Sequence, residues 1–293
     1  MEHRIVVAIG GSTSSEGAVR WATRRARTID AEIDITTVLP LRGALLRAGD
    51  VPEPPAPQPV LEALRDLRAA LPAAHITTSI RHGDPVDELA LDASRSDLIA
   101  IGLDSGARGI LHHHLVARLA RRVGRPVVAV PSSWTHSDQR VVVGIDGESD
   151  SAALQFGIAE ATALGGSLQL VHAWSVPTGM DLVVSGRRAP PTSHYEYHHE
   201  LLDRAVEYAR EQAPQLSVTG MLQQAPVGEL LESMAEGAHV VAVGCPEGGH
   251  APWLRADSEW RELQTRTSAP IALCAATRAS GSVAPVTSAP RAA

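Results

Sequence analysis

The feature that most constrains this chain is an internal duplication with an offset of 136 residues. The segment RIVVAIGGSTSS, which begins at Arg4, matches RVVVGIDGESDS, which begins at Arg140. Each copy is a short β-branched run, a glycine-containing turn and a helical pattern. The length of 293 residues also corresponds to about two domains of roughly 150 residues. The sequence therefore predicts one domain over residues 1–136, a second over residues 137–276, and a disordered tail over residues 277–293.

Strand and helix patterns alternate through both copies. Residues 32–39 and 167–174 are predicted second strands, and each is soon followed by a proline. The run Val240–Cys245 is apolar throughout, which is typical of a strand buried on both faces. The first helix has one face at amphipathic spacing, formed by Ala18, Trp21, Ala22, Arg25 and Ala26. Each copy is therefore predicted to be an α/β domain, a five-stranded parallel sheet with helices on both faces, with ligands bound beyond the carboxyl ends of the strands.

The composition excludes several kinds of chemistry. All 26 basic residues are arginine, and the chain contains neither lysine nor asparagine. P-loop NTPases and protein kinases need a lysine at the nucleotide phosphates, and Schiff-base enzymes need an amine whose pKa can fall. Hydrolases of the Ser-x-x-Lys type and Cys-His-Asn proteases are excluded for the same reason. Metal chemistry, acid–base work by carboxylates or histidine, a Ser-His-Asp arrangement and the absence of catalysis remain open.

Charge, cysteine usage and hydropathy predict a cytoplasmic protein. The formal net charge of −7 argues against binding to nucleic acid or to anionic membranes. The apolar run within residues 1–9 is too short for a signal peptide, and no run approaches the roughly 18 residues of a spanning helix. Cys245 and Cys274 lie in or beside apolar strand-like runs, so we predict two buried, reduced thiols.

The histidines suggest two metal sites, and their spacing favours neither. His112, His113 and His114 are consecutive on a predicted helix, where neighbouring side chains point about 100° apart and cannot converge on one ion. His194 and His198 have the i, i+4 spacing of one helix face, but no third ligand with suitable spacing accompanies them. We therefore predict no metal site and interpret the second pair as part of a solvated, amphipathic helix end.

Two further features have open interpretations. The small and hydroxyl residues at positions 10–15 either bind an anion at a helix N-terminus or form a tight turn with a serine N-cap, and the turn is favoured. Trp134, Trp253 and Trp260 stand out in a chain with few aromatic residues. They either anchor a contact between domains or with a partner, or pack in the core.

The order of these segments, found twice, resembles the universal stress protein family in a tandem form, from about residue 4 to residue 276. The resemblance is carried by VVAIGGSTSSEGA and VVVGIDGESDSA, by GDPVDEL and APVGELLE, by DLIAIG and HVVAVG, and by RPVVAVP and APIALC. It implies two Rossmann-like domains of the adenine nucleotide alpha hydrolase-like type, a stress-related regulatory role rather than catalysis and, in one subgroup, bound ATP. We expect the domains to pack as an internal pseudo-dimer through their final strands, and dimerisation of the whole chain stays open.

The nucleotide-binding subgroup has an aspartate that closes the first strand and a G-x2-G-x9-G-[ST] loop after the fourth. In the second copy the residues that fit this pattern, and so are the predicted nucleotide ligands, are Asp146, Gly147, Gly244 and Ser258. Glu247 and Asp257 replace two glycines of the loop, and their charges are expected to weaken phosphate binding. Mg²⁺, bound only together with the nucleotide, would offset those charges.

The first copy departs further from the same pattern. Gly10 replaces the aspartate, and Gly11, Ser12 and Gly102 are the candidate ligands that keep their family positions. At the end of the loop, His113 and His114 replace the final glycine and serine of the pattern. We therefore expect no ATP to bind to the first copy in the family manner.

Three functions follow from these residues. The favoured one is a stress-response sensor or adaptor with weak or lost ATP binding, located in the second domain if present. The second is a nucleotide-hydrolysing enzyme of the same superfamily that holds Mg²⁺ at Asp146, Glu247 and Asp257. The third is an interaction protein without a ligand. The missing glycines favour the first and the third over the enzyme.

Overall fold

A computed structural model describes the fold of most of the chain. The described residues are 3–10, 15–39, 56–103, 109–135, 138–147, 151–175, 191–245 and 266–275. The strands are β1 His3–Ala8, β2 Ala31–Leu39, β3 Ile76–His82, β4 Leu98–Leu103, β5 Val127–Pro131, β6 Arg140–Gly144, β7 Ser167–Trp174, β8 Ser217–Gln224, β9 Val240–Cys245 and β10 Ile271–Ala275. The helices among these residues are α1 Ser15–Ile29, α2 Gln58–Ala70, α3 Pro85–Ala93, α4 Gly109–Val123, α5 Ser151–Leu164, α6 Pro191–Gln212 and α7 Val227–Ala235.

The strands form one sheet in the order β3-β2-β1-β4-β5-β10-β9-β6-β7-β8. Neighbouring strands are parallel within residues 3–135, the first half, and within residues 138–275, the second half. The halves meet where β5 and β10 pair antiparallel, with Ile271 opposite Ala129. The predicted α/β fold is therefore confirmed, and the halves join through their final strands, as the sequence predicted.

The two halves repeat individual hydrogen bonds as well as elements. In the first half the N–H of Ile9 donates to the carbonyl of Thr36 at 2.8 Å. In the second half the N–H of Ile145 donates to the carbonyl of Val171 at 2.9 Å. Both bonds tie the residue beyond the first strand to the second strand of the same half. This repetition agrees with the duplication seen in the sequence.

Hydrophobic cores lie on both faces of the sheet. Helices α1, α2, α5 and α6 cover one face, and helices α3, α4 and α7 cover the other. The five residues predicted for the inner face of α1 are all buried. Trp134 is buried in the core on the same face, as in the packing interpretation, whereas Trp253 and Trp260 lie outside the described residues. No helix in the described part of the chain is long and apolar enough to cross a bilayer.

Two helices begin earlier than the sequence predicts. The prolines of residues 51–59 predict an exposed loop before a helix over residues 60–71, but helix α2 starts at Gln58 and includes Pro59. The second copy predicts a helix from about Tyr195 to Glu211, but helix α6 starts at Pro191. A proline disrupts a helix interior, but in the first turn its missing N–H would have had no intrahelical partner. The predicted domain boundary near His136 and the predicted tail lie outside the described residues.

The two cysteines lie in neighbouring strands but on opposite faces of the sheet. Cys274 is paired with Gly244, so it is one residue out of register with Cys245, and alternate strand residues point to opposite faces. Cys245 belongs to one core and Cys274 to the other, and both are buried and free, as predicted. Burial raises the pKa of both thiols, an effect that the charge of Arg121 only partly offsets at Cys245.

We expect neither thiol to react with an aromatic disulfide reagent in the native protein near pH 8, because little thiolate forms when the pKa is raised. Two equivalents should react after unfolding in guanidinium chloride. The measurement is the absorbance of the released aryl thiolate, with the unfolded sample as the control for total thiol. Rapid release of one or two equivalents from folded protein would contradict the burial of these side chains.

Candidate functional site

A cavity of about 250 Å³ opens at the carboxyl ends of β6 and β7 in the second half. It lies where the strand order reverses, since β7 flanks β6 on one side and β9 flanks it on the other. Ligands of open α/β sheets bind at this kind of switch point. The walls are apolar, and Val227, Leu230 and Leu231 of α7 face Val171 and Val243 of the sheet.

Asp146 is one of the residues that line the cavity. It comes after the strand residues Val141–Val143, which are fully buried. The residue before it, Ile145, donates its N–H to the carbonyl of Val171 in β7. The chain therefore emerges from the sheet at Asp146, whose side chain is half-buried. The predicted ligand thus lies at the carboxyl edge of the sheet, beside an apolar cavity.

The other predicted ligands of the second half have different positions. Gly147 has a φ of +85°, a conformation that favours glycine, and a Cβ there would lie 2.4 Å from Leu201 Cδ1 of α6. Gly147 is exposed and faces α6 rather than the cavity. Gly244 is buried in β9, next to Val243 of the cavity wall. Ser258, Glu247 and Asp257 lie outside the described residues.

His172 lines the same cavity and was not singled out in the sequence. It is 5% exposed, its Nδ1 is hydrogen-bonded to the carbonyl of Ile145, and its Nε2 lies 2.7 Å from His198 Nδ1. Because a carbonyl only accepts, Nδ1 carries the proton, and Nε2 shares a hydrogen bond with His198 Nδ1. The hydroxyl of Thr37 donates to the equivalent carbonyl, that of Ile9, at 2.8 Å in the first half. The available signal was one histidine within an apolar strand run.

His198 faces the sheet at the beginning of α6, whereas residues 195–197 and 199–200 are exposed, as expected for a solvated, amphipathic helix end. Its ring is half-buried and stacks on Trp174, with centroids 5.7 Å apart and an angle of 29° between the planes. Tyr195 packs edge-on against Trp174 at 6.0 Å. The aromatic contact and the bond to His172 hold the beginning of α6 against β7. The side chain of His194 lies outside the described residues.

Metal-ligating side chains do not converge within the described part of the chain. No group of three His, Cys, Asp or Glu side chains there could hold an ion. His112, His113 and His114 belong to α4, but their side chains are not among those described.

The first half has an equivalent cavity, of about 390 Å³. Gly10 takes the place of Asp146 there, and Gly102 lies in the lining, as its family position implied. The carboxylate in this cavity is Asp84, which accepts from the N–H of Val86 at 2.9 Å and so caps α3. Because that carboxylate already serves as a helix cap, it does not replace Asp146 as a ligand group.

The turn after β1 is closed by a side chain. The N–H of Gly10 donates to the hydroxyl of Ser15, the first residue of α1, at 3.0 Å. This bond is consistent with the tight-turn interpretation of residues 10–15. Gly11 and Ser12 lie outside the described residues.

Comparisons with known proteins find relatives in sequence and solved structures with a similar fold. The model of the universal stress protein family matches residues 1–131. A universal stress protein of Mycolicibacterium smegmatis is 26% identical over 287 residues, which span 91% of this chain and 95% of the relative. The crystal structure of a universal stress protein from Archaeoglobus fulgidus superposes with a TM-score of 0.61 at 16% identity, covering 94% of this chain and 97% of that one. A protein of unknown function from Pseudomonas aeruginosa has a TM-score of 0.54 at 13% identity, with 94% and 93% covered.

Proposed function

We propose that the chain is a tandem universal stress protein with domains over residues 1–136 and 137–276, since the model of that family matches residues 1–131. The family and the relative from Mycolicibacterium indicate a stress-response role. We further propose that the chain is a sensor or adaptor and that an adenine nucleotide binds weakly to the second domain.

The observation that carries the proposal is the cavity with Asp146 at its edge. Its apolar walls suit the faces of a purine ring, and a carboxylate accepts hydrogen bonds from an amino or hydroxyl group of a nucleoside. A volume of about 250 Å³ is small for a whole ligand. We therefore expect the cavity to hold the base, with ribose and phosphates extending beyond it.

Weak binding is expected because of the groups that would contact the phosphates. The chain has no lysine, so backbone N–H groups, hydroxyls, arginine or a bound Mg²⁺ must compensate the phosphate charge. Glu247 and Asp257 add negative charge to the loop that the family resemblance assigns to this task. The first domain, which has Gly10 in place of the aspartate, is expected to bind no nucleotide.

The hydrogen bonds of His172 favour a binding protein over an enzyme. One ring nitrogen is bonded to a backbone carbonyl and the other to His198. Both nitrogens are therefore directed at groups of the protein rather than at a bound ligand or water. The enzyme alternative requires Mg²⁺ at Asp146, Glu247 and Asp257, of which only Asp146 lies among the described residues.

Calorimetric titration of the full chain with ATP, with and without Mg²⁺, tests the proposal. We expect Asp146→Ala to raise the Kd about tenfold, since a hydrogen bond to a charged group contributes about 1.5 kcal/mol or more. Asp66→Ala is the matched control, because it removes an equal charge from an exposed position on α2.

Three results would contradict parts of this proposal. An unchanged Kd for Asp146→Ala would place the nucleotide elsewhere. No heat up to millimolar ATP would leave an adaptor without this ligand. Release of phosphate above the buffer rate, abolished by Asp146→Ala, would establish the enzyme instead.

A further inference from the structure

A buried ion pair connects the two halves on the face covered by α1 and α5. Arg25 of α1 points its Nε at both carboxylate oxygens of Glu160 of α5, at 2.9 and 2.8 Å. The two side chains are only 7% and 1% exposed. Arg25 belongs to the first half and Glu160 to the second, so the pair crosses the junction between them.

Two ring systems extend this pair. The Nε2 of His239, which precedes β9, lies 3.3 Å from a carboxylate oxygen of Glu160. The indole of Trp21 stacks on the His239 ring, with centroids 5.5 Å apart and planes at 29°. The first half thus contributes a guanidinium and an indole, and the second half contributes a carboxylate and an imidazole. We call Trp21, Arg25, Glu160 and His239 the junction cluster.

The junction cluster does not follow the duplication. The N–H of Asp97 donates to the carbonyl of Arg4, and the N–H of His239 donates to the carbonyl of Arg140. Because Arg4 and Arg140 are equivalent residues of the two first strands, Asp97 and His239 are equivalent as well. For the other three residues of the junction cluster, the equivalent residue of the other half lies 136 positions away in the sequence. The residues equivalent to Trp21, Arg25, Glu160 and His239 are respectively Gly157, Ala161, Arg24 and Asp97.

Pairing of two first halves in the same geometry would bring positive charges together. The position opposite Arg25 would hold Arg24 of the other copy, and the junction would contain no glutamate. Two guanidinium groups near a buried site repel each other, and Arg25 would have no Glu160 to accept its hydrogen bonds. The position of His239 would hold Asp97, so the stacking partner of Trp21 would also be lost.

Pairing of two second halves would bury an acid without its cation. Glu160 would face Ala161 of the other copy and would retain only the His239 of its own half. A carboxylate that is 1% exposed needs charged hydrogen-bond partners to stay ionised. Gly157 would also leave empty the volume that the Trp21 indole fills beside His239.

We propose that the junction cluster selects the partner of each half: a first half pairs with a second half, and like halves do not pair. Specificity of this kind combines an attractive contact in the right pair with charge conflicts in the wrong ones. This inference concerns the junction alone and is independent of nucleotide binding. According to this proposal, the first half recognises a surface that supplies a buried carboxylate, which in this chain is that of Glu160.

A chain that is cut after folding tests the proposal. A protease site inserted between residues 136 and 137 would leave both new ends attached to their own halves. The carbonyl of Trp134 accepts from Arg20 Nε at 2.9 Å, and the N–H of Asp138 donates to the carbonyl of Gly237 at 2.9 Å. The cut protein is held in mild denaturant so that the halves can exchange, returned to buffer and examined by native mass spectrometry.

We expect almost all complexes of the cut wild-type protein to contain one half of each kind. Arg25→Glu removes the attraction to Glu160 and places a carboxylate opposite Arg24 of a second first half. Complexes of two first halves should therefore form with this variant. Arg27→Glu makes the same charge change on the exposed face of α1 and serves as the control.

The isosteric variant Glu160→Gln provides a second measurement that does not depend on charge reversal. We expect it to weaken the association of unlike halves about tenfold or more, because the charge is lost but the shape is kept. Random pairing of wild-type halves would overturn the proposal. The proposal would also be overturned if the Arg25→Glu and Arg27→Glu proteins formed the same mixture of complexes and Glu160→Gln did not weaken the association of unlike halves.

Discussion

Replacement of Glu160 by alanine is expected to lower the free energy of unfolding by about 3–5 kcal/mol, the usual range when one partner of a buried ion pair is removed. The guanidinium of Arg25 would then be left uncompensated between α1 and α5. Its Nη1 is buried and already has no hydrogen-bond partner in the described part of the chain. Equilibrium unfolding in guanidinium chloride, followed by circular dichroism, measures the loss.

Glu16→Ala is the control for this substitution. Glu16 also pairs with an arginine of α1, Arg20, at 3.4 Å, but its side chain is 66% exposed. Exposed pairs contribute between about 0 and 1 kcal/mol, so this variant should unfold close to the wild type. Similar losses for Glu160→Ala and Glu16→Ala would mean that the pair across the junction contributes no more than a surface pair.

The pH dependence of unfolding checks the charge state of Glu160. Burial alone would raise its pKa, but the hydrogen bond from His239 and the charge of Arg25 outweigh burial and hold the pKa below the ordinary value of 4.5. The stabilisation is therefore present above pH 4.5 and is lost as the pH falls through the lowered pKa. Glu160→Gln should lack this part of the acid dependence, and parallel curves for the two proteins would contradict the assignment.

The face of a helix can be predicted from spacing, but what lies opposite that face cannot. The 3.6-residue period placed Arg25 on the buried side of α1 among alanines and a tryptophan, and the structure confirms this. Nothing in the local sequence identifies Glu160 as its partner, because the two residues meet only after β5 and β10 have paired. The repeat itself was misleading here, since the equivalents of these residues are Ala161 and Arg24.

The candidate site could be predicted only in part for a similar reason. The family resemblance implied a ligand at Asp146, just beyond the buried strand residues Val141–Val143, and the structure has this residue in the cavity lining. The cavity beside it depends on α7, whose Leu230 and Leu231 come from much later in the chain. The sequence does not distinguish His172 from any other polar residue in a strand, because its hydrogen-bond partners Ile145 and His198 are both more than 20 residues away along the chain.

Gly17→Ala is expected to lower the free energy of unfolding by up to about 2 kcal/mol, although alanine is the better helix former. A Cβ at this position of α1 would lie 2.3 Å from the carbonyl oxygen of Pro131 and 3.0 Å from its carbonyl carbon. These are backbone atoms of β5, which also pairs with β4 and β10, so neither side can yield without disturbing the junction. Overpacking of this kind costs about 1–3 kcal/mol, and the gain of about 1 kcal/mol in helix propensity offsets only part of that cost when the contact is as close as this one.

Gly228→Ala separates the close approach from the general effect of removing a glycine from a helix. Gly228 lies in the first turn of α7, and a Cβ there would meet no atom within 4 Å. The same substitution should therefore leave stability unchanged or raise it by up to about 1 kcal/mol, because the unfolded chain loses conformational freedom. Opposite signs for the two variants in denaturant unfolding would locate the penalty in the contact between α1 and β5. If both variants were stabilised, α1 and β5 would have to be further apart than the structure places them.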